Sequence, residues 1–585
     1  MIQDLIDLFR RAYDNYGDKL ILDNYTLKDG LYIRINEDGS KDYLVIKATK
    51  NKDGSIEYIP LDYQNEQTSE LYTWFKEKDY YSSVKDMNKA IDPKKKIHSN
   101  NYLTVFIKKD NLIGDNKLTD EQLGERIKDY YRILSNPKIK NKDARSAELL
   151  ELIKPRVDEE DVKRKYDYLI SDSDSIRDEI LKRNDEFDNY VKIFFSEEGD
   201  SKKYELEYRR YLIPNLFNKN DFNVKSGSAI LGLSNNNMGM NSKKPYLELK
   251  TTKFKVPYRI TYEDALILGK FFDWLGYQKQ GALYIPVDYD FKTEAGNRDN
   301  LINNDCYYLY ITKGKEITIE DYEFLPKSSY KIDFTLKNYL LLGGSKTGNK
   351  YLLEDKHLNQ LWELESEIDE TFFNKKLKGC YFIEPKITSD FSKKMLNLLI
   401  ISRNAFYNYF YKGNMIDMIS IIDKVSIDFV KEYLYSGELN KAQKAQNLRL
   451  SLLNYFELEG KYMGGMVKEL CEEITKKLDS ADVMDLDNDN EFYFLAGQLA
   501  YFILSKSKED KKKKTHKAAE GFINAKNDVD IKKELLYYFD RYKHAISFDD
   551  KRFNKALSMV QGYEAKYNKN KEDIFICGLL TKNIF

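Results

Sequence analysis

Cysteine, histidine and proline are scarce in this 585-residue chain, and each scarcity excludes something. The four cysteines (Cys306, Cys380, Cys471, Cys577) lie far apart and form no C-x-x-C, which argues against a zinc knuckle and against a secreted disulfide framework. A reduced, cytoplasmic setting is expected. His98, His357, His516 and His544 stand singly, so neither a histidine metal centre nor a catalytic triad has its parts. No proline follows Pro385, which leaves the last third free to be helical. There is no run of 18 apolar residues, and Asp4 and Asp7 occupy the start where a signal peptide needs basic charge and then an apolar stretch; no membrane association is expected. An excess charge is missing too. With 95 Lys+Arg against 96 Asp+Glu, any nucleic-acid site has to be local.

What the chain has in quantity is aromatic residues, 47 Tyr and 31 Phe within an apolar fraction of 42%, a composition that builds folded cores. At roughly 100 to 200 residues per domain the length allows about three to five domain-sized units. MIQDLIDLFRRAYDNYG reads as an amphipathic helix through Ile2, Leu5, Ile6, Leu8 and Phe9. From Lys19 to about Tyr63, alternating segments joined by Asp-Gly turns predict a β-meander. YLTVFIKK, Tyr102 to Lys109, predicts a buried strand, and Thr119 to Lys192 predicts helices. Ala282 to Leu342 is β-rich again. Beyond Glu384 come successive amphipathic segments with Gly or Asn stops, a helical bundle. The fold class is therefore α+β: a mixed N-terminal lobe over 1–385 and an all-α bundle over 386–585.

Four features bear on chemistry. GGSKTGNK (Gly343–Lys350) resembles a phosphate loop, but Asn349 separates the second glycine from the lysine and Tyr351 stands where a Ser/Thr belongs, so it reads as a turn. Glu248-Leu-Lys250, with Asp221 upstream, has the residue types of a metal nuclease, whose acids hold the ion while lysine meets developing charge. An exposed strand face explains the same residues. Residues 221–260 carry seven Lys/Arg against two acids, centred on an Asn-Gly-Lys segment. There Asn235, Asn236, Asn237 and Asn241 offer amides that both donate and accept, as base edges require, and Lys243, Lys244, Lys250, Lys253 and Lys255 offer cations to phosphates. A solvated surface loop is the ordinary alternative. Finally, residues 496–585 hold 19 Lys+Arg against 12 Asp+Glu, including Lys511, Lys512, Lys513, Lys514, Lys517, Lys543 and Arg552, which either form a phosphate track or solvate a linker.

These basic stretches lie in segments that resemble a known family. LAGQLAYFILSKSK, KTHKAAEGFINAKN, YYFDRYKHAISFDDKRFNKALSMVQGYEAKY and DIFICGLLTKNIF, in that order over about 490–585, resemble the large subunit of the type I-B CRISPR interference complex, Cascade. NNNMGMNSKKPYLELKT with VPYRITYEDALILGKFFDWLG is similar to that family's central region. The resemblance implies an RNA-guided DNA surveillance subunit rather than an enzyme, with no cofactor. Its N-terminal lobe would read the protospacer-adjacent motif on double-stranded DNA while guide-RNA pairing reads the target and forms the R-loop. Its C-terminal bundle would hold the opened strands. The implied partners are the guide RNA with the Cascade backbone subunits, target DNA, a small subunit and a helicase-nuclease. Some members carry a cysteine zinc site; unpaired cysteines predict none here. The family's bundle is also translated separately as the small subunit, for which Met395, Met415 and Met418 are available starts. The Glu248/Lys250 nuclease and a helical scaffold without nucleic acid are the competing classes.

Overall fold

The computed structural model describes residues 2–51, 56–61, 66–113, 117–234, 253, 259–292, 295–296, 304–314, 317–327, 331–342, 355–388, 391–457, 464–482, 484–507, 519–566 and 571–585. The protein is α+β with a mostly helical C-terminal part. It divides into two compact units, 1–297 with 306–324, and 298–305 with 325–585.

In the first unit, α1 (Ile2–Tyr16) and α2 (Lys19–Leu22) precede β1 (Gly30–Ile35), β2 (Lys41–Lys50) and β3 (Ile56–Pro60), the predicted meander. After α3 (Glu66–Ser82) comes β4 (Thr104–Lys108), then α4 (Asp120–Ser135), α5 (Ala144–Leu150), α6 (Glu159–Ser171) and α7 (Ser173–Lys182), and then β5 (Tyr190–Phe195). The five strands form one sheet in the order β3-β2-β1-β5-β4, with β1 and β5 parallel and the other neighbours antiparallel. β5 begins at the end of the stretch expected to be helical, Thr119 to Lys192, and runs beyond it. Its sequence YVKIFF carries Lys192 in a buried strand, which only a partner from elsewhere permits.

Strand alternation sorts this sheet into two chemically different faces. Val105 pairs with Ile193 and Ile107 with Val191 on one face, which α4, α6 and α7 cover. Phe106 sits opposite Lys192 on the other, where Tyr32, Phe194, Phe106 and Phe75 of α3 meet with ring centroids 5.1 to 6.1 Å apart. Lys192 Nζ lies 2.5 Å from an Asp79 carboxylate oxygen of α3, and the Tyr25 hydroxyl donates to the other oxygen at 2.7 Å. Thus the buried cation is both paired and hydrogen-bonded.

α8 (Asp200–Leu212) leads to a small three-stranded sheet of β6 (Val224–Ser226), β7 (Ala229–Gly232) and β8 (Ile260–Thr261), followed by α9 (Tyr262–Leu275). β9 (Gly281–Pro286), β10 (Cys306–Lys313) and β11 (Ile317–Leu325) make a second three-stranded sheet. Phe9 of α1 packs against Phe271, Trp274 and Phe291 at 5.1 to 6.3 Å.

The second unit begins well before the compositional change at 385. β12 (Lys331–Leu336) pairs with β13 (Lys356–Gln360), and α10 (Leu361–Phe373) follows. α11 (Lys393–Lys412), α12 (Ile416–Lys424), α13 (Ser426–Tyr435) and α14 (Leu439–Tyr455) then run consecutively. The two strands belong with this bundle because α14 is partly polar on the side they cover. Its Asn447 Oδ1 accepts from the Leu340 N–H at 3.1 Å and its Ser451 Oγ from the Lys337 N–H at 3.0 Å. α15 (Gly464–Asp479), α16 (Asp489–Ser505), α17 (Glu520–Ile523), α18 (Asp528–Tyr542), α19 (Lys551–Gly562) and α20 (Lys571–Leu580) complete the unit. α16 is apolar nearly all round and accordingly buried, from Phe492 to Ala500 without a break.

All four cysteines are free and buried. Burial pushes the Cys471 thiol up to about 11 and Cys577 up to about 12, leaving little thiolate at neutral pH. Ellman's reagent at pH 8 is expected to label the native protein at least tenfold more slowly than the denatured chain; rapid stoichiometric labelling of native protein would contradict this burial.

Candidate nucleic-acid interface

Most of the lysines and asparagines singled out from the sequence lie outside the described residues: Asn235, Asn236, Asn237, Asn241, Lys243, Lys244, Lys250 and Lys255, together with Glu248, Lys511, Lys512, Lys513, Lys514 and Lys517. The loop 343–350 does as well. Lys253 is described and exposed. The flanks of the Asn-Gly-Lys segment are ordered by pairing, Gly232 of β7 facing Ile260 of β8 across an antiparallel ladder. Asp221, the acid required for the nuclease reading, is exposed and paired with Lys219 at 2.5 Å. Among the described residues no three His, Cys, Asp or Glu side chains are grouped to hold a metal.

Lys543 and Arg552 sit at one corner of the helical unit, where α18 ends in a 3-10 turn, Lys543–Ala545, and a short loop enters α19. Each already has an acidic neighbour, Asp540 at 2.6 Å from Lys543 and Asp479 at 3.3 Å from Arg552. Such exposed pairs are weak and exchange readily for a phosphate. Around them the structure adds residues that sequence reading passed over. Lys533, Tyr537 and Arg541 recur at i, i+4 and so form one stripe on α18, all three exposed. Tyr537 is 59% and Phe548 93% exposed, large values for such rings. The backbone that presents Phe548 is held: Asn554 Nδ2 donates to the Phe548 carbonyl at 2.8 Å, and Asp550 caps α19 by accepting from the Phe553 N–H at 3.0 Å. An exposed ring on a fixed turn, flanked by Arg541, Lys543 and Lys551, combines a stacking surface with cations. The signal was present as the interleaving of aromatic and basic residues in YYFDRYKHAISF; counting charge alone hid it.

A second concentration of cations lies in the first unit, in an open cleft of about 630 Å³ at one end of the aromatic sheet face. Lys28, Lys85 and Lys192 line it with Tyr58, Tyr190 and His98. Lys28 Nζ stands 4.6 Å from the centre of the Tyr58 ring. Burial first, then the Lys192 charge, lowers the Lys28 pKa, and burial lowers that of Lys85. Three aspartates also line the cleft, but Asp29 is fully used, accepting from the backbone N–H groups of Ala48, Asp188 and Asn189 at 2.8 to 3.0 Å. His98 bridges the Tyr190 hydroxyl at 2.6 Å and the Lys95 carbonyl at 2.9 Å, and burial holds its pKa below the usual value. With Nε2 donating to the Lys95 carbonyl, Nδ1 of the neutral ring accepts from the Tyr190 hydroxyl.

Compared with protein-family models, curated proteins and solved structures, the chain matches none.

Proposed function

We propose that this chain is the large subunit of a type I-B CRISPR Cascade, a nucleic-acid-binding and non-enzymatic component. In this reading it recognises the protospacer-adjacent motif on double-stranded DNA, supports R-loop formation by the guide RNA, and recruits the helicase-nuclease. The observation that carries the nucleic-acid part is the stretch from α18 into α19, along which the rings of Tyr537 and Phe548 and the cations Lys533, Arg541, Lys543 and Lys551 are all exposed. That stretch lies within the segment whose sequence resembles the family. Asn235, Asn236, Asn237 and Asn241 are the proposed motif readers, Lys243, Lys244, Lys250, Lys253 and Lys255 their phosphate-gripping neighbours, and Lys511–Lys514, Lys517, Lys543 and Arg552 the cations along the opened strands.

The direct test is to purify the tagged chain from its host and sequence the RNA that accompanies it. Enrichment of guide RNAs together with the backbone subunits is expected; a preparation free of RNA would reject the reading. Binding of a single-stranded oligonucleotide provides a finer test. Tyr537→Ala and Phe548→Ala are each expected to cost about 1–3 kcal/mol if a base stacks on the ring. Replacing Lys543 and Arg552 by Ala should instead weaken all sequences alike and flatten the plot of log affinity against log salt by about one unit for each phosphate no longer neutralised. Unchanged affinity for the aromatic variants with an unchanged salt slope for the basic ones would return this corner to ordinary surface.

A further inference from the structure

The aliphatic face of the first unit's large sheet is not closed by its helices. Between β4 and β5 on one side and α4, α6 and α7 on the other lies a cavity of about 330 Å³. Val105, Ile107, Val191 and Ile193 form its floor, the helices contribute further Leu and Ile side chains, and among the described residues no aromatic ring lines it. Protein interiors ordinarily contain few voids larger than a water molecule. Its polar side chains are confined to Asp120, Ser173, Asp174 and Arg177, so water against the aliphatic floor has few partners. The volume lies at the lower end of the range of small-ligand sites, which are typically apolar with a few polar groups at one side.

Two details refine the chemistry. Gly124 lies inside α4 and lines the cavity, and a Cβ built there meets no atom within 4 Å. Glycine in a helix interior is destabilising, and here it stands on the cavity stripe with Asp120, Leu123 and Ile127, so a long side chain in its place would project into the open space. The charged groups of the lining are Asp120, Asp174 and Arg177, all exposed, with Arg177 paired to Asp120. Two aspartates against one arginine disfavour an anionic head group, while the Ser173 hydroxyl, donating to the Ile170 carbonyl at 3.0 Å, retains acceptor capacity.

We propose that this cavity is a binding site for a small uncharged aliphatic molecule with at most a hydroxyl head. The volume lies at the small end of ligand sites, for which a medium-length aliphatic alcohol such as 1-decanol is a suitable probe. The site is independent of the nucleic-acid reading. The full chain titrated with 1-decanol in a calorimeter should show saturable one-to-one binding, with decanoate at least tenfold weaker because the rim repels a carboxylate. Gly124→Leu should fill the space, weakening decanol at least tenfold with circular dichroism unchanged. A photoreactive decanol analogue mapped by peptide sequencing provides a readout independent of any variant's folding; the label should fall on α4, α6 or α7. Absence of saturable binding by the wild type, decanol binding undiminished in folded Gly124→Leu, decanoate bound as tightly as decanol, or label located elsewhere would each overturn the proposal.

Discussion

Gly578→Ala and Gly497→Ala are each expected to lower the melting temperature of the helical unit by on the order of 10 °C. α16 and α20 cross so closely that each glycine faces the other helix's backbone. A Cβ on Gly578 would lie 2.1 Å from the Phe494 carbonyl oxygen, and one on Gly497 would lie 2.3 Å from that of Phe575. Contacts so short force a shift, and neither obstacle is a side chain that can rotate away. The helices have to separate, loosening the apolar seam around Phe494, Phe575 and Leu499 and the 2.6 Å hydrogen bond from Gln498 Nε2 to the Gly578 carbonyl. Overpacking costs about 1–3 kcal/mol and sometimes more, and a backbone obstacle puts these positions at the upper end. Gly562, at the end of α19, is the control, since a Cβ there meets nothing within 4 Å; Gly562→Ala should melt close to wild type. Calorimetric scans of the three variants decide the matter. If Gly578→Ala melts with the Gly562 control, the close crossing is wrong.

The second large effect concerns Arg449, which is 1% exposed in the middle of α14. Its Nε and one terminal nitrogen donate to the two carboxylate oxygens of Asp573 at 2.8 and 2.9 Å, and the other terminal nitrogen donates to the Ile422 carbonyl and the Ser426 hydroxyl. One side chain thereby ties α14 to α20, α12 and α13. Arg449→Ala is expected to destabilise the unit by about 3–5 kcal/mol, because Asp573 is left as a poorly solvated charge without its partner. Arg449→Lys should fall between, retaining charge while losing the two-pronged geometry. The double replacement Arg449→Met with Asp573→Leu should recover most of the loss, since the penalty arises from the abandoned charge rather than from the absent pair. Urea unfolding of the four proteins is the measurement. A double variant no more stable than Arg449→Ala would show that the network's remaining hydrogen bonds, not the carboxylate, carry the energy.

The two glycines illustrate what a linear reading perceives and what it misses. LAGQLAYF and FICGLL are conspicuous apolar segments, each interrupted by one glycine. Nothing in either segment says that they touch, because the reason for each glycine is the backbone of the other helix. The candidate interface divides similarly. The basic residues of the C-terminal part were visible by counting charge, whereas Tyr537 and Phe548 were indistinguishable from core aromatics until their exposure was known. In a chain with 47 Tyr and 31 Phe, composition cannot separate a packed ring from a presented one.

Local periodicity and chain punctuation determined the elements: the N-terminal amphipathic helix, the Asp-Gly meander, the strand at 104–108 and the proline-free helices after 391 all follow from interactions within a few residues. Tertiary structure alone decided the features that need distant partners. β5 became a strand because β1 and β4 flank it and because Asp79, 113 residues away, receives the charge of Lys192. The second unit begins near 325 rather than 385 because polar side chains of α14 hydrogen-bond the chain beside β12. Arg449 is tolerated in a core because Asp573, 124 residues on, returns to meet it. The period of a helix or strand is written in adjacent residues, but a buried charge, a close helix crossing or an open cavity depends on what chain closure brings alongside, and that geometry has no local sequence signature.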